Sequence, residues 1–314
     1  MPQPIDYVKD ELLTRIAVAY GNTEFIADQL FPRIDVDKET GSYYVYDKNG
    51  FRIEQDLRSG IARANRVDYG MSMSNYGPLL EHSLEQGVTD REKKLMGADK
   101  ALRNATNNVT AKVMLNHEKV VADLLTNTSV VTQNVTLAGA DQWSAAAGAS
   151  NDPFADVQLA LDTIDATGIA TTKKILVLGY QVWSVLRNHN LVTARLGNAA
   201  LKVPASLEQL AALFDVDQVI VGRAKYDTAK EGQTASLGYV WGKSAIVVTM
   251  SPEASIERVN PGYTLQLATD GASARYMDRW DDRAQKTEFV RFNDYFEAKL
   301  VAAEAVYLIK NAVA

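Results

Sequence analysis

From Asp90 to Leu125 the chain carries apolar residues at Leu95, Ala98, Leu102, Ala105, Val109, Val113, Val120 and Leu124. This three-and-four spacing lays one stripe along a helix. Thr89 is placed to cap its start, and Asp90 and Glu92 fall in the first turn, where exposed backbone N–H groups favour negative charge. An unbroken helix of this length would run roughly 50 Å, longer than a compact domain of this size needs. A rod of that length spans a molecule and is touched by other parts along its course. It constrains architecture before it suggests chemistry.

The rest of the composition fits an assembly protein. At 314 residues the chain can bury a substantial core and divides naturally into two domains or one elaborated one. It contains no run of eighteen apolar residues and no basic-then-apolar N-terminus, so neither a membrane span nor a secretory signal is expected. Cysteine is absent, which removes disulfides, thiolate metal sites and a cysteine nucleophile. A net charge of −6 argues against a general nucleic-acid binder, because phosphate affinity needs clustered Lys and Arg. Contact with DNA is expected to be local and weak.

Residues 1 to about 40 read as an arm. Leu12, Leu13 and Ile16 share one side of a helix expected over residues 7–20, with Gly21-Asn22 as its stop. A second short helix from Thr23 should end at Phe31, because Pro32 pushes its predecessor out of the helical region. The period then changes. Ser42-Tyr43-Tyr44-Val45-Tyr46 is strand-like, Asp47-Lys48-Asn49-Gly50 is a turn signal, and Phe51-Arg52-Ile53-Glu54 alternates again, so a local hairpin is expected. Residues 55–86 show no core period and read as an irregular return. An exposed hairpin rich in tyrosine needs something to cover it.

After the helix, residues 127–151 form a connector of small and polar residues carrying Trp143. From Asp152 the pattern is α/β. Helices are expected over residues 154–166, 180–188 and 206–214, and strands over 174–179, 218–222, 239–241 and 245–250. The tail alternates at period two through residues 274–280 and again from Phe289. The apolar run 300–309 is expected to return to the long helix.

No motif here assembles an active site. His82, His117 and His189 show no metal spacing and read as ordinary surface or helix residues. Asp278, Asp281 and Asp282 interleave with Arg279 and Arg283, the pattern of a solvated or intersubunit ion-pair face. The passage through Gly179 lacks a phosphate-binding glycine set or lysine, and Tyr180-Gln181-Val182-Trp183 is too bulky for a phosphate to approach. No catalytic residue, cofactor or metal ligand is therefore expected.

The order of parts resembles the major capsid proteins of tailed bacteriophages, which share the Hong Kong ninety-seven fold. The likeness is carried by Leu30-Phe31-Pro32-Arg33-Ile34-Asp35-Val36-Asp37-Lys38 followed by residues 43–47, by Leu178-Gly179-Tyr180-Gln181-Val182-Trp183, by residues 207–214 and 219–226, and by Tyr239-Val240-Trp241-Gly242-Lys243. It covers nearly the whole chain. The resemblance implies an α+β fold with an N-terminal arm (1–40) and an extended loop (41–86). It further implies a peripheral domain with a spine helix (87–151 and 271–314) and an axial domain (152–270).

It also implies a non-catalytic protein that forms hexamers and pentamers of an icosahedral head, assembled in the host cytoplasm around packaged double-stranded DNA. Partners implied are other copies of the chain, a portal and, because the chain opens directly at the arm, a separate scaffolding protein. No membrane is involved. Intersubunit contact is expected from the loop residues Tyr43, Tyr44, Tyr46, Lys48 and Phe51. Some relatives join a loop lysine to another subunit's asparagine covalently. Lys48 is the candidate here, with a merely solubilising role preferred. The rival readings are the shell protein of a cellular encapsulin-type compartment and, further off, an α/β enzyme.

Overall fold

The computed structural model describes residues 8–9, 25–46, 52–54, 56–57, 60, 63–67, 71–145, 151–169, 173–197, 204–251, 260–268 and 274–314. The arm contributes β1 (Val8–Lys9), α1 (Ala27–Leu30) and β2 (Arg33–Val36). Next come β3 (Gly41–Tyr46), β4 (Met71–Tyr76) and β5 (Leu80–Thr89). Helices α2 (Asp90–Met96) and α3 (Ala98–Leu125) lead into β6 (Asn134–Thr136). The α/β block holds α4 (Pro153–Asp165), β7 (Lys173–Gly179), α5 (Tyr180–Leu186), α6 (Asn190–Arg195) and α7 (Leu207–Phe214). It continues through β8 (Gln218–Gly222), β9 (Lys225–Asp227), β10 (Leu237–Tyr239) and β11 (Ala245–Met250). The tail supplies β12 (Gly262–Leu267), β13 (Arg275–Asp282), β14 (Thr287–Leu300) and β15 (Val306–Lys310).

Two sheets organise these elements. One runs β1-β13-β14-β12-β2, with β5 also paired to β14; the other runs β6-β15-β11-β7-β8. In the second sheet, alternate side chains of β7 enter two cores. Leu176 and Leu178 face a cluster with α4, α5 and α7, while Ile175 and Val177 face one with α1 and the end of α3. Burial on both faces explains why β7 and β11 read as continuous apolar runs. Two glycines allow a close approach here: a Cβ on Gly222 would meet the Trp241 ring at 2.2 Å, and one on Gly179 would meet the Gly242 carbonyl at 2.2 Å. The glycine that superficially resembled a phosphate turn is therefore a packing residue.

The long helix departs from expectation at one point. Thr89 and Glu92 form the anticipated cap, a reciprocal capping box, but Gly97 at φ 86° divides α2 from the 28-residue α3. The apolar spacing continues across the break while the helical phase does not, which leaves Leu95 74% exposed. In α3, Ala101, Leu102, Ala105, Val109 and Val113 pack with Met277, Val290 and Phe292 of the first sheet. Its last turn, Val121, Ala122 and Leu125, packs with Val306 and Leu308 of the second. The helix thus joins the two sheets.

The hairpin expectation is corrected. β3 pairs antiparallel with β4, Gly41 opposite Tyr76 through Tyr46 opposite Met71, and Arg52–Ile53–Glu54 is not a strand. The Asn49-Gly50 signal is local, whereas this pairing spans about two dozen intervening residues, which no short-range pattern reveals. The supposed irregular return holds β4 and the ten-residue β5. Val8 and Lys9, expected to be helical, pair with Arg279 and Asp278 as a strand; the rest of that expected helix lies outside the described residues. The final apolar run reaches the long helix on one face only, because β15 is hydrogen-bonded between β11 and β6. Val240 and Trp241 form a turn after β10.

Candidate assembly surfaces

Glu118 is fully buried on α3, and its carboxylate gathers three donors from two distant segments. Oε2 accepts from the Ile26 and Ala27 backbone N–H groups at 3.0 and 2.7 Å, which are otherwise orphan donors at the start of α1. Oε1 accepts from Trp241 Nε1 at 2.6 Å. One side chain therefore ties the arm, the long helix and the α/β block together. Burial raises its pKa above the usual carboxylate range, against the pull of these three hydrogen bonds.

His117 lies beside it, also buried. Thr264 Oγ1 donates to the Phe31 carbonyl at 3.2 Å, so its oxygen is left to accept from His117 Nε2 at 2.9 Å. Burial, aided by Arg33 and opposed by Asp28, pulls the imidazole from 6.5 down to about 3. The folded protein holds it neutral, while the unfolded chain takes up a proton as the pH falls through 6.5. Stability contributed by His117 is therefore present above that value and lost toward 3. Between pH 7 and 4.5, His117→Gln is expected to lose about 2 kcal/mol less urea stability than the parent protein. Equal losses would refute this assignment.

Around this pair runs an ion network. Asp294 is buried between Arg33 (3.3 Å) and Arg275 (3.1 Å), and Arg33 also meets Asp28 at 2.8 Å. The acidic run expected as a solvated or intersubunit face is partly internal. Asp278 is buried and bound by Arg291 at 3.1 Å and Asn293 at 2.9 Å, and Asp282 caps its own turn. His82 stacks on Phe296, and His189 caps α6. Among the described residues no group of His, Asp and Glu is arranged to hold a metal ion, and no helix is long and apolar enough to cross a membrane.

The β3–β4 ribbon pairs with no third strand among the described residues. Its base is fastened to β14, where Glu297 Oε2 accepts from Gly77 N at 2.7 Å and Lys299 Nζ donates to the Asn75 carbonyl. Tyr43 is half-buried, with Lys299 Nζ 5.8 Å from its ring centre. The backbones of Tyr44 and Tyr46 oppose Met73 and Met71. Lys48 and Phe51 lie outside the described residues. Further out, Met73 is 64% exposed, and Ile53, Leu57 and Val67 are exposed too.

No family model matches the chain. It is 28% identical to the major capsid protein of Burkholderia phage BcepMu over 97% of its length and 96% of that protein. It is 29% identical to the major capsid protein of Pseudomonas phage JBD67 over 100% and 98%. A crystal structure of a phage-related protein from Bordetella bronchiseptica RB50 superimposes with a TM-score of 0.76 at 25% identity, covering 98% of each chain. The capsid structure of cyanophage P-SCSP1u gives 0.59 at 8% identity over 91% and 88%. The chain is a phage major capsid protein. It has the Hong Kong ninety-seven fold, its role is that of a structural shell protein, and its place is the virion capsid. The β3–β4 ribbon is a flap fastened to β14 at its base, and the Glu118 junction fastens the N-terminal segment to the body.

Proposed function

We propose that copies of this chain associate as hexamers and pentamers into an icosahedral head around packaged double-stranded DNA, and that the chain carries out no catalysis. The carrying observation is the ribbon, with exposed Val45 and Met73, together with the segment between its strands, with exposed Ile53, Leu57 and Val67, an apolar set that the described residues leave uncovered. A two-stranded ribbon cannot bury such an area alone, and a neighbouring copy can. On this reading residues 1–40 are the arm, 41–86 the extended loop, 87–151 with 271–314 the peripheral domain and 152–270 the axial domain, β15 returning into the axial sheet. Tyr43, Tyr44, Tyr46, Lys48 and Phe51 make the intersubunit contact. A scaffolding protein and a portal guide assembly in the host cytoplasm, and the net charge of −6 keeps contact with DNA weak and nonspecific.

Negative-stain microscopy of the purified chain with its scaffold tests this directly. Closed shells that protect DNA from nuclease are expected in vivo. A compact monomer at high concentration would refute the shell, and particles filled with protein cargo would refute the head.

A further inference from the structure

A cationic–aromatic ladder stands where β7 and β8 end. Arg187 and Arg223 lie over the Trp183 ring, 4.7 and 5.3 Å from its centre. Tyr180 packs against Trp183 at 5.6 Å and stacks on Tyr239 at 5.0 Å, and Lys225 Nζ lies 4.9 Å from the Tyr239 ring. None of these three cations meets a carboxylate among the described residues. In a chain of net charge −6, three cations without a carboxylate partner among the described residues make a local positive patch. Leu237, two residues before Tyr239, is 70% exposed.

The complementary surface is on α4. That helix packs on β15 and β11, whereas the ladder issues from α5 and the hairpin beyond β8, in the other half of the sheet. Its outer face presents Leu159, 54% exposed, with exposed Asp162 and Asp165 one and two turns along. Among the described residues the Asp162 carboxylate receives only the Gln158 amide at 2.8 Å, and Asp165 lies 3.9 Å from Lys174.

We propose that the ladder of one copy docks on the outer face of α4 of the next, Arg223 and Lys225 against Asp162 and Asp165, with Leu237 against Leu159. The inference rests on the shell reading above and names the contact within a ring of copies. Two different, complementary surfaces on one chain make a head-to-tail contact, which closes into a ring when the rotation allows. A single exposed ion pair contributes little, but the contact is repeated at every junction of the ring and backed by apolar area, so its loss multiplies.

Arg223→Glu with Lys225→Glu, and separately Asp162→Lys with Asp165→Lys, should each lower closed-particle yield by about tenfold or more. Monomer melting should shift by no more than a few degrees, because all four residues are exposed and lose only surface contacts within their own chain. Combining the two pairs in one chain should restore particles. Normal yield from either pair, or no restoration in the combined chain, would overturn the contact. Normal shells that retain less DNA would assign the ladder to phosphate instead and overturn it as well. A parent protein that forms no particles would defeat the shell reading itself, a result distinct from all of these.

Discussion

Glu118→Gln is expected to unfold at lower urea than the parent protein, with a loss of about 2–3 kcal/mol. The amide keeps one acceptor oxygen, so it can serve either the Ile26 and Ala27 N–H pair or Trp241 Nε1, and turns a donor toward the other. Glu118→Ala strands all three donors and leaves a cavity, for which about 4 kcal/mol or more is expected. Trp241→Phe separates the two arms of the junction, since it removes the donor that Gln cannot satisfy. In the Glu118→Gln background it should cost less than it does alone, a coupling that a double-mutant cycle measures directly. Faster amide exchange at Ile26 and Ala27 in Glu118→Gln would locate the loosening in the arm. An unchanged midpoint with unchanged exchange would show that the carboxylate holds nothing.

Removal of the flap should have the opposite signature, with stability kept and assembly lost. Ser42 and Asn75 face each other at the base of the ribbon, so residues 43–74 can be replaced by a short Gly-Ser turn without moving the body. The two sheets and α3 have their own cores and use none of the residues removed. The melting temperature should stay within a few degrees, roughly the shift of 1 kcal/mol or less, while closed shells disappear. Collapse of the fold would place the ribbon in its own chain's core. Shells in normal number would show that it is no intersubunit element.

Legibility in the sequence followed the range of the interactions. β8 and β11 coincide with their expected bounds because both are apolar runs flanked by polar or turn residues, and the cap at Thr89 is spelled out within four residues. The pairing of β3 with β4 was not legible, since the nearer Asn49-Gly50 turn offered a local partner that the fold does not use. Gly97 was passed over because apolar residues continue on both sides of it. Glu118 and His117 were missed as members of a polar helix surface. Their positions carried a signal all the same: each stands four residues from buried neighbours, Met114 and Ala122 for one, Val113 and Val121 for the other. A charged residue in phase with a buried stripe has to find partners elsewhere in the chain. That Tyr43, Tyr44 and Tyr46 need a cover is an expectation from composition, and a cover from another copy would be a matter of assembly, not of local pattern.

One strand carries a mechanical consequence. β14 runs fourteen residues, roughly 45 Å, with β5 paired along its first ten, β13 along its first eight and β12 along its last five. Gly77 and Asn75 at the root of the flap are hydrogen-bonded to Glu297 and Lys299, and β2 of the arm is bonded to β12 alongside. A stiff beam so loaded behaves as a lever. A pull on the flap would strain the N-terminal segment of the same molecule along a continuous hydrogen-bonded path, without first displacing the α/β block, so the two would come under tension together.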